Sequence, residues 1–280
     1  MTGALGREFP FSDKHFKQLS TFVTAQTGIV LTEAKKDMVY SRLSKRIRKQ
    51  FAGSFDDFCQ TIADGDPAEQ DFLINAITTN LTAFFRENHH FDYLRHKVIP
   101  ALVRENATTK KIRIWSAGCS TGEEAYSIAI CLRETIADVD DWDIKILATD
   151  LDANVLVHGK QGVYAQERIS GIDKQVAQSW FKQGSGDNAG LVKVRPELGR
   201  MIVFKRLNLL HDWPMNGPFD LIFCRNVVIY FDKATQSKLF DRFADILVEQ
   251  GHLFIGHSES LYKVCERFAS LGHTIYRRLS

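Results

Sequence analysis

KIRIWSAGCSTGEEAYSIAICLRETIA, residues 111–137, is the stretch that decides the fold. Apolar side chains at Ile112 and Ile114 alternate with polar ones, which is typical of a strand. A turn that contains Gly118 and Gly122 follows, and the residues after it carry the apolar face of a helix. A strand that passes through a glycine turn into a helix indicates an α/β fold with a mostly parallel sheet.

The rest of the C-terminal part continues this alternation. Further strands and helices are predicted in DIKILATDLD (143–152), ANVLVHGKQG (153–162), FDLIFCRNVVIYF (219–231), KATQSKLFDRFADILVEQG (233–251), HLFIGHSES (252–260) and HTIYRRL (273–279). Strands that alternate with helices predict a doubly wound, open sheet with helices on both faces. The last two strands are so close in sequence that we expect an antiparallel pair at the sheet edge.

One segment interrupts the rhythm. Residues 180–210, WFKQGSGDNAGLVKVRPELGRMIVFKRLNLL, contain a glycine-rich turn and two β-type runs, LVKVRPEL and MIVFKRLN. We interpret the segment as a small antiparallel β-subdomain, inserted at about residues 180–206.

The N-terminal part is predicted to be helical only. Ser12 can cap a first helix that Gly28 ends, Thr32 and Ser54 can open the next two, and Asp66 precedes a proline at the start of a fourth. We therefore expect a helical domain over residues 1–79, a linker that contributes to the active site over 80–91, and the α/β domain over 92–280. Pro100 is expected to kink or end the helix that follows the linker.

Composition narrows the class of protein. The 36 basic and 34 acidic residues give a net charge of +2, which excludes a polycation that coats nucleic acid by charge alone. The five cysteines are odd in number and lack a Cys-x-x-Cys pair, which fits neither a disulfide framework nor a zinc ribbon. No apolar run approaches the roughly 20 residues that span a bilayer. We expect a cytoplasmic protein without direct membrane insertion.

The glycine turn favours a nucleotide-like ligand without phosphates. Gly118 and Gly122 form G-x-x-x-G rather than the dinucleotide pattern G-x-G-x-x-G, and Glu123 and Glu124 at the helix start would repel a pyrophosphate. S-adenosylmethionine is such a ligand. The alternative is a plain strand–helix turn.

Polar residues at the ends of later strands support a ligand crevice. Asp150 ends the second strand, where an acid can accept both ribose hydroxyls; the alternative is a helix cap supplied by Asp150 or Asp152. Arg225 and Asn226 interrupt an apolar run, and at the carboxyl end of a parallel strand they would face the crevice. Tyr230 follows, and its alternative role is that of a core tyrosine.

The chain resembles a known family in six segments that occur in order. They are TTNLTAFFRENHHF, RIWSAGCSTGEEAYS, ATDLD, GLVKVRPEL, FDLIFCRNVVIYFDK and GHLFIGHSES, and together they resemble the bacterial chemotaxis receptor methyltransferases of the CheR type. The resemblance implies a helical N-terminal domain and a Rossmann-like methyltransferase domain with a β-subdomain insert. It implies methyl transfer from S-adenosylmethionine to chemoreceptor glutamates, which yields methyl esters and S-adenosylhomocysteine.

The resemblance also implies site residues. The cofactor-binding set would be Asn80, Thr82, Arg86, Glu124, Asp150, Asn208, Leu209, Arg225 and Asn226, with Glu123 as the substitute for Glu124. Arg86 and Tyr230 resemble the catalytic pair that faces the transferring methyl. No metal is expected, because a glutamate is already ionised at pH 7 and needs no activation, and His89 and His90 are expected to be half-buried or solvent-facing.

Substrate docking is predicted on the helix at 33–50. Arg42, Arg46 and Lys49 lie three or four residues apart and form a cationic stripe beside the buried seam. Such a stripe could steer the glutamate-rich methylation helices of chemoreceptors, and the β-subdomain could hold a receptor C-terminal tail peptide. The alternative for the stripe is a solvated charged face.

Other functions remain open at this level. The basic helix could follow phosphates, as in a methyltransferase that acts on nucleic acid or on a small molecule, although no nucleic-acid partner is expected. A protein that only binds S-adenosylmethionine and reports it to a partner is a second alternative. A nicotinamide dehydrogenase is the weakest, because the third glycine is absent.

Overall fold

The structure, a computed structural model, describes residues 7–280, which form two compact units. The first contains the chain up to Thr79 together with Tyr230–Asp232, and the second contains Asn80–Ile229 and Lys233–Ser280. Among the helices of residues 7–280, none has the length and apolar character needed to cross a membrane.

The first unit is a helical domain. Its helices are α1 (Asp13–Thr27), α2 (Lys36–Gln50), α3 (Phe55–Ala63) and α4 (Pro67–Ile77). The predicted caps are confirmed: the side chains of Ser12, Ser54 and Asp66 accept hydrogen bonds from backbone N–H groups of the first turns of α1, α3 and α4. Gly28 ends α1 in the left-handed conformation, with φ of 71°. Thr32 precedes a short 3₁₀ turn that leads into α2.

Apolar side chains at helical spacing form the hydrophobic core of this unit. Val23 of α1, Leu43 of α2, Phe58 of α3 and Leu73 of α4 are fully buried. Burial of each such side chain stabilises the folded state by about 1.5–3 kcal/mol. The cap and stop residues in the sequence therefore predicted the helices, and the apolar side chains of these helices form one shared core.

The second unit begins with a long irregular helix. It consists of α5 (His89–Tyr93), a π-helical segment (Leu94–Val98) and α6 (Ile99–Glu105). Pro100 was expected to kink or end the helix, and it does not end it, because Pro100 lies in the first turn of α6 and the helix continues to Glu105. A proline lacks the N–H that would close the preceding α-helical turn, and the wider π turn just before it accommodates this loss.

A sheet of seven strands forms the centre of the second unit, within the described residues. The strands and helices that follow α6 are β1 (Lys111–Ala117), α7 (Glu123–Thr135), β2 (Asp143–Asp150), α8 (Ala153–Gln161), β3 (Val163–Ala165), α9 (Lys174–Trp180), β4 (Phe181–Gln183), β5 (Leu191–Val194), α10 (Pro196–Gly199), β6 (Ile202–Arg206), β7 (Phe219–Cys224), α11 (Lys233–Ile246), β8 (Leu247–Ile255), β9 (Phe268–Gly272) and β10 (Ile275–Arg278). The strand order of the main sheet is β6-β2-β1-β7-β8-β10-β9. The first five strands of this order are parallel, and β10 is antiparallel to both of its neighbours.

Helices cover both faces of the sheet, as predicted. Consecutive residues of a strand point to opposite faces. Ile114 of β1 belongs to the buried cluster that includes Ile128 of α7, whereas the next residue, Trp115, packs edge-on against Phe243 of α11 at 5.2 Å between ring centroids. The predicted late antiparallel pair is also present, as β8 and β10, although the sequence did not predict β9 beside them.

The predicted β-subdomain needs one correction. The small antiparallel sheet has the order β3-β5-β4, so it includes residues 163–165 and the run LVKV. The second predicted run, MIVFKR, is β6, which pairs in parallel with β2 in the main sheet from Ile146 opposite Ile202 to Asp150 opposite Arg206. A short apolar run does not specify its partner strand, since pairing is decided by contacts between distant segments.

Candidate active site at the carboxyl ends of the parallel strands

The polar residues singled out in the second unit lie where parallel strands end. β1 runs into the glycine turn, β2 ends at Asp150, β6 leads to Asn208, and β7 leads to Arg225. Because β6, β2, β1 and β7 are consecutive neighbours in the sheet, their carboxyl ends form one continuous edge. Ligands of open α/β sheets bind at this edge.

Asp150 joins the ends of β1 and β2. One carboxylate oxygen accepts the backbone N–H of Ser120 at 2.8 Å, and the other accepts the backbone N–H of Asp152 at 3.0 Å. Burial raises the pKa of Asp150, and these N–H groups oppose that rise. Asp152, rather than Asp150, caps α8 by accepting the N–H of Asn154 at 2.8 Å. The helix-cap alternative therefore applies to Asp152, whereas the carboxylate of Asp150 contacts the glycine turn between β1 and α7.

The linker over residues 80–91, called the connector from here on, and the segment after β6 lie beside this carboxylate. Asn80 donates from Nδ2 to Asp152 at 2.9 Å, and its backbone carbonyl accepts the Ser120 hydroxyl at 2.9 Å. The strand pairing sets Asp150 beside β6, and Asn208 and Leu209 follow this strand immediately. Leu209 is buried. The structure thus brings four of the predicted cofactor residues to one end of β2.

A buried arginine organises the neighbouring part of the edge. Arg225 is 6% exposed, and its guanidinium lies between two carboxylates, with Nη2 3.2 Å from Glu87 and Nη1 3.2 Å from Glu124. It also donates to the backbone carbonyl of Arg86. Burial raises the pKa of Glu124, and the Arg225 charge and the Ser116 hydroxyl, 2.6 Å away, oppose that rise. A buried cation between two acids is stable because its charge is compensated.

Glu87 is the residue that sequence reasoning missed here. Besides Arg225, its carboxylate accepts hydrogen bonds from Asn226 Nδ2 at 3.2 Å, His257 N at 3.1 Å and His257 Nδ1 at 2.9 Å. Burial acts to raise its pKa, but these hydrogen bonds and the Arg225 charge prevail and lower the pKa to about 2. The sequence offered one signal, a charged residue in a connector rich in aromatic side chains.

Glu259 was also missed. Its carboxylate accepts the backbone N–H groups of Asn226 at 3.0 Å and Ile229 at 3.2 Å, and it is 5% exposed. Asn226 has φ of 58° and Glu87 has φ of 56°, and both lie in the left-handed region that non-glycine residues avoid. The two carboxylates thus hold Asn226 in a strained conformation from its side chain and from its backbone, which is frequent at functional sites.

A glycine at the end of β1 makes close packing possible. Gly118 has φ of 89°, and a Cβ atom built there would lie 2.3 Å from Cγ2 of Val227. The turn therefore requires glycine for its conformation and for its approach to the segment after β7. Gly122, with φ of 97°, precedes α7, whose first residue Glu123 accepts the Thr121 hydroxyl at 2.6 Å and pairs with Arg168.

Of the two adjacent histidines of the connector, His89 agrees with the expectation and His90 does not. His89 is exposed, but His90 is fully buried and its Nε2 lies 2.8 Å from the backbone carbonyl of His273. Burial and the Arg225 charge lower the pKa of His90 to about 4. Donor atoms of Glu87, His89 and His90 lie within 4.8 Å of one another, a spacing that a metal ion could use. Glu87 already binds the Arg225 cation, and the expected absence of a metal stays a prediction.

The predicted catalytic pair belongs to different units. Arg86, in the second unit, is half-buried and donates from Nη1 to the Leu81 carbonyl at 2.7 Å. Thr82 accepts a hydrogen bond from Arg168 at its backbone carbonyl, 2.8 Å away. Tyr230 groups with the helical unit, where its carbonyl accepts the N–H of Val30 at 2.9 Å. That Arg86 and Tyr230 face one methyl group stays a prediction.

The predicted docking stripe is largely engaged within the helical unit. Arg42 donates to the carbonyls of Ala76, Ile77 and Thr78 at 2.8–3.1 Å. These carbonyls lie at the C-terminal end of α4, so Arg42 supplies hydrogen-bond donors where the helix itself no longer does. Arg46 pairs with the buried carboxylate of Glu69 and lies over the ring of Phe72. Lys49 is exposed.

The donor set at this edge fits S-adenosylmethionine. The Asp150 carboxylate accepts only backbone N–H groups among the hydrogen bonds given above, so its remaining lone pairs suit ribose hydroxyls. Leu209 offers an apolar surface of the kind that packs on a base. The acids around Arg225 suit a cationic sulfonium, and Nε of Arg225 is buried without a hydrogen-bond partner among the described residues.

Comparisons with known proteins identify the family. Residues 14–78 match the CheR methyltransferase all-alpha domain, and residues 80–277 match the CheR methyltransferase SAM binding domain. The chain is 44% identical to chemotaxis protein methyltransferase 2 of Pseudomonas aeruginosa over 96% of this chain and 95% of that protein. It is 41% identical to the chemotaxis protein methyltransferase of Escherichia coli over 95% and 91%, and 42% identical to that of Salmonella typhimurium over 95% and 90%. Together with the fold and the arrangement at the strand ends, these matches show that the chain belongs to the CheR methyltransferase family.

Proposed function

We propose that this chain is a protein-glutamate O-methyltransferase of chemotaxis, located in the cytoplasm. It transfers a methyl group from S-adenosylmethionine to glutamate carboxylates of chemoreceptor cytoplasmic domains and leaves S-adenosylhomocysteine. The observation that carries the proposal is the position of Asp150 at the carboxyl end of β2, where its carboxylate accepts a backbone N–H from the glycine turn that follows β1, within a CheR-type domain.

Each part of the strand-end edge has a role in this proposal. Asp150 holds the ribose, Leu209 and Asn208 flank the adenine, and Asn80 with Thr82 closes the connector over the cofactor. Glu124, Arg225 and Asn226 complete the pocket at the end that carries the sulfonium. This sulfonium supplies an electrophilic methyl carbon and a good leaving group. The assignments are supported by the shared strand-end location and by the family membership.

The chain's own contribution to the chemistry is positioning. A glutamate side chain has a pKa near 4.3 in water, so the substrate is ionised at pH 7 and needs no general base. Arg86 orients the incoming carboxylate by charge-assisted hydrogen bonds, and Tyr230 borders the transferring methyl. Alignment of two reacting groups accounts for about 7–11 kcal/mol of barrier reduction in favourable cases. No metal is required for this reaction.

Receptor docking is assigned to two surfaces. On α2, exposed Lys49 and its neighbour Lys45 present positive charge that attracts the glutamate-rich methylation helices. On the small sheet, β3 and β4 are edge strands, and an edge strand can accept an extended peptide. Lys182 lies directly opposite Lys193 in this sheet, and like charges in this position are unfavourable unless an anion compensates them. An acidic receptor tail peptide supplies such an anion.

The reaction is tested by incubating the full chain with methyl-labelled S-adenosylmethionine and receptor-rich membranes. We expect base-labile label on the receptors, which is the signature of a methyl ester. Label that survives base, or label on nucleic acid instead, would refute the proposed substrate. An Asp150→Ala variant tests the site: its affinity for both S-adenosylmethionine and S-adenosylhomocysteine should fall by roughly 1.5–3 kcal/mol, because both ligands keep the ribose.

Docking is tested separately from chemistry. Lys49→Glu should raise the KM for receptor and leave cofactor affinity unchanged, and the wild-type rate at low receptor concentration should fall with added salt. Receptor kinetics that are unchanged by Lys49→Glu would remove α2 from the docking surface. A titration of the chain with C-terminal receptor peptides tests the small sheet, where absence of saturable binding would exclude the tail.

A further inference from the structure

Two atoms that can only accept a hydrogen bond face each other in the connector. Nδ1 of His90 lies 3.7 Å from Oε2 of Glu87, and the side chains of these residues are 0% and 11% exposed. Among the described residues, Nδ1 of His90 has no hydrogen-bond partner. Because an unpaired polar atom is unfavourable in a buried place, a positive charge between the two atoms would stabilise this arrangement.

The other ring nitrogen of His90 shows where the hydrogen of the ring lies. Nε2 is 2.8 Å from the backbone carbonyl of His273, and a carbonyl oxygen only accepts hydrogen bonds, so Nε2 carries the hydrogen. At neutral pH, a ring without a partner for a second proton is uncharged, and Nδ1 therefore has a free lone pair. Histidines that bind metals commonly donate their other ring N–H to a backbone carbonyl, which fixes the ring and directs the lone pair at the ion.

A third ligand stands next to this pair. Donor atoms of Glu87, His89 and His90 all lie within 4.8 Å of one another, and within residues 7–280 no other group of three acidic, histidine or cysteine residues has this spacing. His89 is exposed, so its ring can turn towards an ion. Zinc lies about 2.0–2.2 Å from imidazole nitrogen and from carboxylate oxygen, so one ion can bridge the two atoms of Glu87 and His90 that are 3.7 Å apart.

Arg225 does not prevent an ion from binding here. Its Nη2 lies 3.2 Å from the same oxygen of Glu87, but its Nη1 lies 3.2 Å from Glu124, and it also donates to the Arg86 carbonyl. Because Glu124 alone balances the charge of Arg225, the charge of Glu87 is in excess. A metal ion can therefore take this oxygen of Glu87 and leave Arg225 paired.

We propose that Glu87, His89 and His90 form a binding site for a divalent transition-metal ion of the zinc type, and that the bound ion displaces Nη2 of Arg225 from Glu87. Two imidazoles and one carboxylate favour zinc-type ions over Mg²⁺, which prefers oxygen ligands in octahedral geometry. Methyl transfer needs no metal, so the ion acts as an inhibitor beside the reaction. The inhibition rests on the proposed function, because Arg225 belongs to the proposed cofactor pocket, whereas metal binding does not.

Metal binding is tested with Zn²⁺ alone, on the full chain without an affinity tag and after removal of metals with a chelator. Isothermal calorimetry should show one Zn²⁺ bound per chain at this site, and Mg²⁺ in large excess should not displace it. His89→Ala removes an exposed ligand and should weaken zinc binding by about tenfold or more. The matched control is His96→Ala, which removes another exposed histidine of the π-helical segment, whose Nδ1 faces the Asp92 carbonyl at 2.8 Å, and should leave zinc affinity unchanged.

His90→Gln tests the buried ligand. Its amide keeps a donor for the His273 carbonyl and removes the lone pair of Nδ1, so zinc affinity should again fall by about tenfold or more. Zinc affinity that is the same in wild type and in His89→Ala, or that falls as much in His96→Ala, would overturn the proposal. If His90→Gln does not fold, His89→Ala decides, because its side chain is exposed.

A second titration tests the displacement of Arg225. The affinity of wild type for S-adenosylhomocysteine should fall by about fivefold or more when Zn²⁺ saturates the site, since coupling between two sites changes both affinities. His89→Ala at the same zinc concentration should show no such fall, and it also controls for zinc that binds the free ligand. Unchanged affinity with zinc bound would refute the displacement. A wild-type chain that binds no S-adenosylhomocysteine even without zinc would instead refute the proposed function and leave the result on zinc binding intact.

Discussion

Acidification should destabilise the second unit through His90, and a single substitution should remove this effect. The pKa of His90 is about 4 in the folded chain, because burial and the Arg225 charge disfavour the protonated ring, whereas it is about 6.5 in the unfolded chain. Between about pH 4 and pH 6.5, this histidine ring is therefore protonated in the unfolded state and neutral in the folded state. The full stability is present above pH 6.5, and it is lost progressively as the pH falls towards 4.

The magnitude follows from these two pKa values. Between pH 7.5 and pH 5, His90 alone should lower the free energy of unfolding by about 2 kcal/mol. In His90→Gln, the amide can still donate to the His273 carbonyl but does not titrate in this range. The variant should be less stable than wild type at pH 7.5, and its stability should fall by about 2 kcal/mol less on acidification. His252, whose pKa burial also lowers to about 4, is present in both proteins and cancels.

Tryptophan fluorescence during urea unfolding is a suitable assay. The four tryptophans of the chain, residues 115, 142, 180 and 213, all lie in the second unit and so report on the unit that contains His90. Unfolding free energies are compared for wild type and His90→Gln at pH 7.5 and pH 5. Equal losses in the two proteins would show that His90 does not titrate in this way, and the reasoning from its burial would be wrong.

Three further outcomes can be measured by thermal or chemical unfolding. Gly118→Ala should cost about 3 kcal/mol, because it combines a left-handed backbone with a clash against Val227, whereas Gly272→Ala, at the same φ of 89° but in open space, should cost only about 1–2 kcal/mol; equal costs would contradict the clash. Asp66→Ala should destabilise the helical unit by about 1 kcal/mol through loss of the α4 cap, and Asp66→Asn should recover most of it. Arg46→Met should lower the free energy of unfolding by about 2 kcal/mol because it leaves the buried carboxylate of Glu69 unpaired, and replacing Glu69 as well should restore part of the loss. An Arg46→Met variant as stable as wild type would show that this ion pair does not stabilise the helical unit.

Local signals in the sequence predicted most of the fold. Helix ends were marked by residues such as Ser12 and Gly28, whose side chains or backbone freedom act within a few positions of the chain. β1, β2 and β7 were marked by apolar runs that end in polar residues. β6 was assigned to the wrong sheet because pairing with β2 depends on a segment more than 50 residues away, which periodicity does not report.

The candidate site was predictable only where a strand end placed a residue at a known edge. Asp150 and Arg225 were found in this way. Glu87 and Glu259 were missed, because their contacts join positions 139 and 33 residues apart and neither acid stands out in its own segment. The burial of His90 was missed for the same reason, since its partner carbonyl lies 183 residues downstream.

One face of the small sheet is buried against the connector and the other is exposed to solvent. Tyr164 and Phe181 pack edge-on against Phe84 of the connector, at 5.0 and 5.1 Å between ring centroids, so this face is committed to the interior. Lys182 and Lys193 point the other way and are exposed. Substitutions on the outer face can accumulate without disturbing the aromatic contacts that hold the connector. Under the docking role proposed above for this sheet, exchange of outer-face residues would change the affinity for the tail peptide and leave the packing of the connector intact.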